Sequence, residues 1–234
     1  MTAAAAGPSP TALQRIAEVA LKQVADGMVL GLGTGRAAEA FIERLGERVR
    51  AGLRVRGVPT SVRSDELARR VNIEVVSLES VDGIDIAFDG ADEVTPDLAL
   101  TKGLGGALLR ERVVAYEAAR FIVLVTPEKL VPKLGTRAPI PIEVVPFASP
   151  TIARHLTKLG GTPVVRKKQG DFPYQTDNQN WILDTSFGPI DDPAKLDAAI
   201  RGIPGVVDNG LFLKMAHTVL VGEDDGVREL SRSA

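Results

Sequence analysis

Two short runs carry the groups that proton-transfer chemistry needs: Asp89-Gly90-Ala91-Asp92-Glu93, and Lys102-Gly103-Leu104-Gly105-Gly106-Ala107-Leu108-Leu109-Arg110-Glu111. The first places carboxylates at a strand exit. The second opens with a cation, runs through a glycine-rich loop and ends on a glutamate. Glycines let backbone N–H groups approach an anion without interference from Cβ. A loop that feeds a helix N-terminus also favours negative charge. Carboxylates as acid and base, a lysine and an amide-lined loop together suit proton transfer on a small anionic substrate. Singly, each residue has a plainer reading. An Asp beside a Gly is often a turn or cap, and Lys102 and Glu111 are residue types common on solvated surfaces. The joint occurrence with a costly glycine run argues for a site.

A second loop of this kind lies upstream. Residues 28–32 form an apolar strand, and Gly33-Thr34-Gly35-Arg36-Ala37 leads into a helix with Ala37, Ala38, Phe41 and Leu45 on one face. Strand, glycine turn and helix is the layout that cradles phosphate on backbone amides. A dinucleotide fingerprint fails, because no acid closes the next strand (residues 54–58), which runs into Pro59-Thr60-Ser61. No Gly-Lys-Ser/Thr follows the loop, so the Walker pattern fails too. The two histidines, His155 and His217, lack metal-ligand spacing, and zinc is not expected. Asp89, Asp92 and Glu93 have the chemistry to hold Mg²⁺, but Lys102 and the glycine loop offer an electrophile without it. No metal and no cofactor are therefore expected.

These residues need a scaffold. Residues 84–88 read as a buried strand entered by the turn Asp82-Gly83, which puts Asp89 at the carboxyl edge of a sheet, where open α/β sheets bind ligands. From about Gly106 a helix is expected, with Leu108, Leu109, Val113 and Tyr116 on its apolar face. Ser9-Pro10 signals the cap of a first helix, and Met1 to Pro10 reads as a disordered lead-in. Strands and helices alternate through residues 121–125, implying a mostly parallel sheet with flanking helices. A proline-spaced stretch from Pro132 to Pro150 marks a change of domain. Beyond it the expected order is strand 140–145, helix 150–159, strand 163–167, strand 181–186, helix 193–201 and strand 205–213. Both helices open on cap-plus-proline signals, Ser149-Pro150 and Asp192-Pro193. This is a βαββαβ, ferredoxin-like unit. The apolar run 217–221 comes too late for it and is expected to return to the first sheet. The fold class is thus α/β: a Rossmann-like domain (1–131 and 214–234) with an inserted ferredoxin-like domain (132–213).

Composition bounds the function. The 234 residues suffice for a proper core, and a net charge of −2 gives no support for nucleic-acid or membrane attraction. The absence of cysteine excludes disulfides and thiol catalysis and suits a reducing cytosol. No secretory leader or membrane span is visible in the sequence.

On these motifs, together with Pro139-Ile140-Pro141-Ile142-Glu143-Val144, Thr176-Asp177-Asn178 and Ile203-Pro204-Gly205-Val206-Val207, the chain resembles ribose-5-phosphate isomerases of the A type over nearly its whole length. The resemblance implies interconversion of ribose 5-phosphate and ribulose 5-phosphate through an enediolate, in the non-oxidative branch of the pentose phosphate pathway. It implies a metal-independent cytoplasmic homodimer acting on a small sugar phosphate. Glu111 then corresponds to the base, Lys102 and the amides of Gly103, Leu104 and Gly105 to the oxyanion stabilisers, and Asp89 to the ring-opening group. Gly90, Ala91 and Asp92 fall near the sugar oxygens, and Gly33, Thr34, Gly35 and Lys129 near the phosphate. A non-catalytic sugar-phosphate sensor of the same fold is the alternative, disfavoured because Glu111, Asp89 and Lys102 are all present. Two departures touch the substrate: Arg36-Ala37 replace the family's usual Ser-Thr, and Leu104 replaces a glycine. Arg36 is either a phosphate ligand or a solvated residue of the first helical turn.

Overall fold

The computed structural model describes residues 10–168 and 170–231. Ser9 and the expected lead-in before Pro10 lie outside them. The chain opens with α1 (Pro10–Leu21), β1 (Val29–Leu32), α2 (Arg36–Arg50), β2 (Arg56–Pro59), α3 (Val62–Arg70), β3 (Glu74–Val75) and β4 (Ile84–Gly90). Then come β5 (Glu93–Val94), β6 (Leu100–Thr101), α4 (Leu108–Glu117), β7 (Ala118–Val125) and β8 (Ile140–Val144). Next are α5 (Ser149–Lys158), β9 (Thr162–Val165), β10 (Trp181–Ser186), α6 (Pro193–Arg201) and β11 (Val206–Asn209). The chain closes with β12 (Leu211–Phe212), β13 (Thr218–Gly222) and β14 (Val227–Ser231).

Two compact units divide the chain. One takes the chain through Gly90, then Val114–Leu130, then Ala216 onward; the other takes Ala91–Val113 and Val131–Met215. These breaks fall close to the expected boundaries near 131 and 214, but residues 91–113 group with the inserted segment. Hydrogen bonding explains the grouping: β6 pairs with both β5 and β12, and the Lys102 N–H donates to the Gly210 carbonyl at 2.9 Å.

The first unit is a seven-stranded sheet in the order β14-β13-β7-β4-β1-β2-β3. All its pairings are parallel except β13 with β14. β1 and β13 are buried throughout, as expected of parallel strands covered on both faces. Ile16, Leu30, Phe41, Phe88, Ile122 and Leu220 belong to one core cluster, with Phe41 stacked on Phe88 at 4.2 Å. Such a pair adds about 0.5–1.5 kcal/mol beyond area burial. The strand order reverses between β1 and β4, the crevice where doubly wound sheets bind ligands. The run 217–221 does return here, as β13 beside β7.

The second unit holds a four-stranded antiparallel sheet, β11-β8-β10-β9, with α5 and α6 in the split βαβ connections of a ferredoxin-like fold. Ile140, Ile142, Ile152, Leu156, Leu183 and Ile200 share its core. A three-stranded sheet, β12-β6-β5, was not anticipated from the sequence.

Three expectations are corrected, and one element was not foreseen. The strand expected over 205–213 breaks at Gly210, whose N–H donates to the Pro141 carbonyl, so Leu211–Phe212 joins the small sheet. Ser149 does not cap α5, because the 3₁₀ turn Pro146–Ala148 runs into the helix and makes Ser149 its first residue. The element not foreseen is the edge strand β14, which is largely exposed and carries no period-2 signal. The apolar face of α4 is also wrong. Val113 and Tyr116 are 40% and 79% exposed, while Leu108, Glu111, Val114 and Ala115 form the buried stripe. Apolar residues surround much of this helix, so hydropathy selected no unique face. Packing in the folded chain did, and it turns Glu111 inward.

Candidate active site

In the first unit, Gly33-Thr34-Gly35 leaves the carboxyl end of β1, and Asp89 lies near the carboxyl end of the adjacent β4. The Gly33 N–H donates to the Phe88 carbonyl at 2.9 Å, drawing the loop against β4. The approach is so close that a Cβ on Gly33 would collide with the Asp89 carboxylate. Only glycine fits there. Asp89 is 2% exposed, and its Oδ1 accepts from the N–H groups of Thr34 (3.0 Å) and Gly90 (2.7 Å). The Thr34 hydroxyl bonds the Thr60 hydroxyl at 2.9 Å and donates to Ser61 Oγ at 2.7 Å. Thr60 and Ser61 were noted in the sequence only as lacking an acid. Their service as braces for the loop follows from the parallel pairing of β1 with β2.

Gly35 is the N-cap of α2, with φ 101° and no side-chain cap. The helix thus presents its amide end without a covering side chain, an arrangement suited to anions. Arg36 follows as an exposed first-turn residue and Ala37 is half-buried. Lys129 closes a 3₁₀ turn, Pro127–Lys129, just past the carboxyl end of β7. Gly33 to Gly35, Asp89 and Lys129 therefore share the carboxyl edge of one parallel sheet.

In the second unit, Lys102 follows β6 and Glu111 sits in the first turn of α4. Lys102 Nζ lies 3.2 Å from Glu111 Oε2, with both side chains 3–4% exposed. The ammonium also lies 5.6 Å from the ring centre of Phe212, a fully buried residue, and the Arg112 guanidinium lies 4.0 Å from the same ring. Burial pushes the Arg112 pKa down, and Asp208, bonded at 2.7 Å, opposes that shift. The Leu104 N–H donates to Asp92 Oδ2 at 3.0 Å, which ties the glycine loop to Asp92 within the same unit. That bond occupies an amide expected from the sequence to face an oxyanion.

Glu93, weighed as a magnesium ligand, is fully buried and serves the scaffold. It accepts from the Thr101 hydroxyl (2.9 Å) and from the N–H groups of Gly135 (2.7 Å), Arg137 (2.6 Å) and Ala138 (3.1 Å). Among the described residues, no three His, Cys, Asp or Glu side chains gather as a metal-ligand set. His217 accepts the Phe121 N–H at 3.0 Å, a structural role. Arg166, Tyr174 and Phe212, which contact the lysine loop, and Asp184, which holds Arg166, were not singled out in the sequence. Their distance along the chain from the loop hid them.

The chain matches the family model for ribose 5-phosphate isomerase A (phosphoriboisomerase A) over residues 56–226. It is 51% identical to the ribose-5-phosphate isomerase A of Thermomicrobium roseum, covering 95% of this chain and 94% of that protein. It is 47% identical to the Thermococcus kodakarensis counterpart, covering 93% and 96%. Among solved structures, ribose 5-phosphate isomerase A of Methanocaldococcus jannaschii superposes with a TM-score of 0.90 at 46% identity, covering 94% of this chain and 98% of that one. A D-ribose-5-phosphate isomerase in complex with phospho-erythronic acid gives 0.93 at 42% identity, covering 96% and 100%. With fold, motifs and full-length identity in agreement, this chain belongs to the ribose 5-phosphate isomerase A family.

Proposed function

We propose that this protein interconverts ribose 5-phosphate and ribulose 5-phosphate by proton transfer through an enediolate, with Glu111 as the base. The observation that carries this reading is the buried Lys102–Glu111 pair at 3.2 Å, held beside a glycine loop at the head of α4. Glu111 removes the C2 proton of the open-chain aldose, and negative charge develops on the C1 oxygen. The O2 hydroxyl proton passes to O1, C1 takes back the carbon proton, and C2 becomes the ketone. A positioned base contributes about 10²–10⁴-fold. Stabilisation of the oxyanion is usually the larger contribution, and Lys102 with the amides of Gly103 and Gly105 supplies it, the Leu104 amide being held by Asp92. Asp89, buried and held by two N–H donors, is assigned to opening the furanose ring. The uncapped start of α2 with the Gly35 amide, Arg36 and Lys129 are assigned to the phosphate, the Gly33 and Thr34 amides being taken by Phe88 and Asp89. A metal has no part in these steps.

The relatives' names support the substrate, and the complex of one of them with phospho-erythronic acid supports a sugar-phosphate ligand. Carriage of base, cation and ring-opening acid together favours an enzyme over a sensor. We further assign a homodimer by membership of the family, to be read from light scattering after gel filtration, and a cytoplasmic site of action, in keeping with a cysteine-free chain. The deciding experiment is a coupled assay of ribose 5-phosphate conversion in EDTA, run on the unmodified protein and on Glu111→Gln. Conversion by the first and its collapse in the second are expected. Equal rates would overturn the assignment of the base.

A further inference from the structure

Arg166 follows β9, and its side chain is 13% exposed. Four of its five N–H donors are committed. Nε and Nη2 grip the Asp184 carboxylate of β10 at 2.9 and 2.5 Å, as a two-pronged fork. Nη1 donates to two consecutive carbonyls of the lysine–glycine loop, Gly103 at 3.1 Å and Leu104 at 3.0 Å. The Arg166 carbonyl accepts the Tyr174 N–H at 2.8 Å, and the guanidinium lies 5.7 Å from the Tyr174 ring centre. The hydroxyl end of Tyr174 packs against Gly106, where a Cβ would collide with it. Arginine, aspartate and tyrosine thus hold the loop from one side.

The geometry of a trans peptide gives this contact a consequence. C=O of one residue and N–H of the next point in opposite directions across the peptide plane. With the Gly103 carbonyl turned to Arg166, the Leu104 N–H must point away from it, and it does, donating to Asp92 at 3.0 Å. With the Leu104 carbonyl turned to Arg166, the Gly105 N–H is likewise turned away. One guanidinium therefore sets the direction of two successive amide donors, Leu104 toward Asp92 and Gly105 next to it in the loop assigned to the oxyanion.

We infer that Arg166, locked by Asp184, is a positioning residue for catalysis: it holds the two peptides after Gly103 so that the Leu104 N–H stays on Asp92 and the Gly105 N–H is the donor turned to the developing oxyanion. This rests on the assignment of that loop to the oxyanion and of Glu111 as base. An ammonium cannot replace the guanidinium, since lysine lacks the planar fork that binds Asp184 while donating sideways to the loop. Because the contribution is to the transition state, its loss must appear in kcat more than in KM.

The test uses Arg166→Ala and Arg166→Lys in the full-length protein. Removing one oxyanion donor costs about 10²–10³-fold in kcat. Arg166→Ala is expected to lose about 10²-fold in kcat with KM within about threefold. Arg166→Lys is expected to recover less than a tenth of the lost rate. Guanidinium ion at millimolar concentration, far below denaturing levels, is expected to raise the kcat of Arg166→Ala several-fold and leave KM unmoved, because the truncated side chain was partly exposed. A merely structural arginine predicts no such rescue. An unchanged kcat, a parallel rise in KM, or full activity in Arg166→Lys would overturn the inference. If Arg166→Ala does not fold, the kcat and KM of Arg166→Lys decide alone. Glu111→Gln, run beside them, separates the two levels. If it retains turnover, the assignment of the base fails; if it collapses while Arg166→Ala stays active, only the role of Arg166 fails.

Discussion

Glu111→Gln separates catalysis from stability at one position, because the carboxylate it removes has two expected duties. Glutamine keeps the volume and one carbonyl acceptor but takes no proton at neutral pH. Turnover should fall by at least the 10²–10⁴-fold of a positioned base, and deuterium wash-in at the transferred carbon should stop. The same change deprives a 3%-exposed lysine of the counter-charge 3.2 Å away. Removing one partner of a buried pair costs about 3–5 kcal/mol. For a chain of this size that is a fall of about 6–20 °C in Tm. It leaves most of the protein folded where the total stability lies in the middle or upper part of the usual range of about 5–15 kcal/mol. The double variant Lys102→Met/Glu111→Gln removes both charges and should regain much of the lost Tm without regaining any turnover. Calorimetry and the coupled assay on the same samples read both quantities. Turnover above a tenth of the unmodified rate would remove Glu111 as base. A Tm within about 2 °C of the parent would refute the energetic reading of the buried pair.

Other perturbations test the surrounding assignments. Asp89→Asn should slow net conversion in both directions by about 10²-fold or more, while deuterium exchange at C1 of ribulose 5-phosphate, which needs no ring chemistry, persists; loss of both together would count against a ring-opening role. Lys129→Ala and Arg36→Ala should each raise the KM for ribose 5-phosphate, by about ten- to a hundredfold if a charge-assisted bond of about 1.5–3 kcal/mol is lost. An unchanged KM in Arg36→Ala would make that residue a solvated helix-start side chain. Activity should persist in EDTA; loss in chelator with recovery on adding Mg²⁺ would make the Asp89–Glu93 run a metal site. Burial raises the Tyr174 phenol, so its contribution to stability is intact below the unfolded phenol value of about 10 and is lost as pH rises through the higher native value. Tyr174→Phe should therefore flatten the alkaline loss of stability above pH about 10, measured by denaturant titration across that range; an unaltered pH profile would refute the linkage.

Much of this protein is legible because its determinants are local in sequence. The glycines after β1, the carboxylates after β4 and the lysine before Gly103 sit at strand ends, so short-range patterning alone places them on a sheet edge or at a helix start. The βαββαβ order is legible for the same reason, since apolar runs, prolines and caps punctuate each element. Asp192 caps α6 through the Lys195 N–H at 2.9 Å, as its sequence signal implies.

What the tertiary structure decided depends on partners remote in the chain. Glu111 lies on the inward stripe of α4, a choice hydropathy could not make in a helix with Val113 and Tyr116 on another side. Gly210 splits one expected strand between two sheets because it bonds both Pro141 and Lys102. Glu93 looks like a ligand in the run Asp-Glu, yet it is consumed by donors from residues 101 and 135–138. Thr60 and Ser61 read as a strand end without an acid and became the braces of Thr34. Arg166 carries no motif, and only packing brings its fork to carbonyls more than sixty residues away. Residue type and spacing therefore determined which chemistry is available. Long-range hydrogen bonding and burial decided which charged groups are held for that chemistry and which serve the scaffold, because the cost of burying a charge is met only by partners that the folded chain brings together.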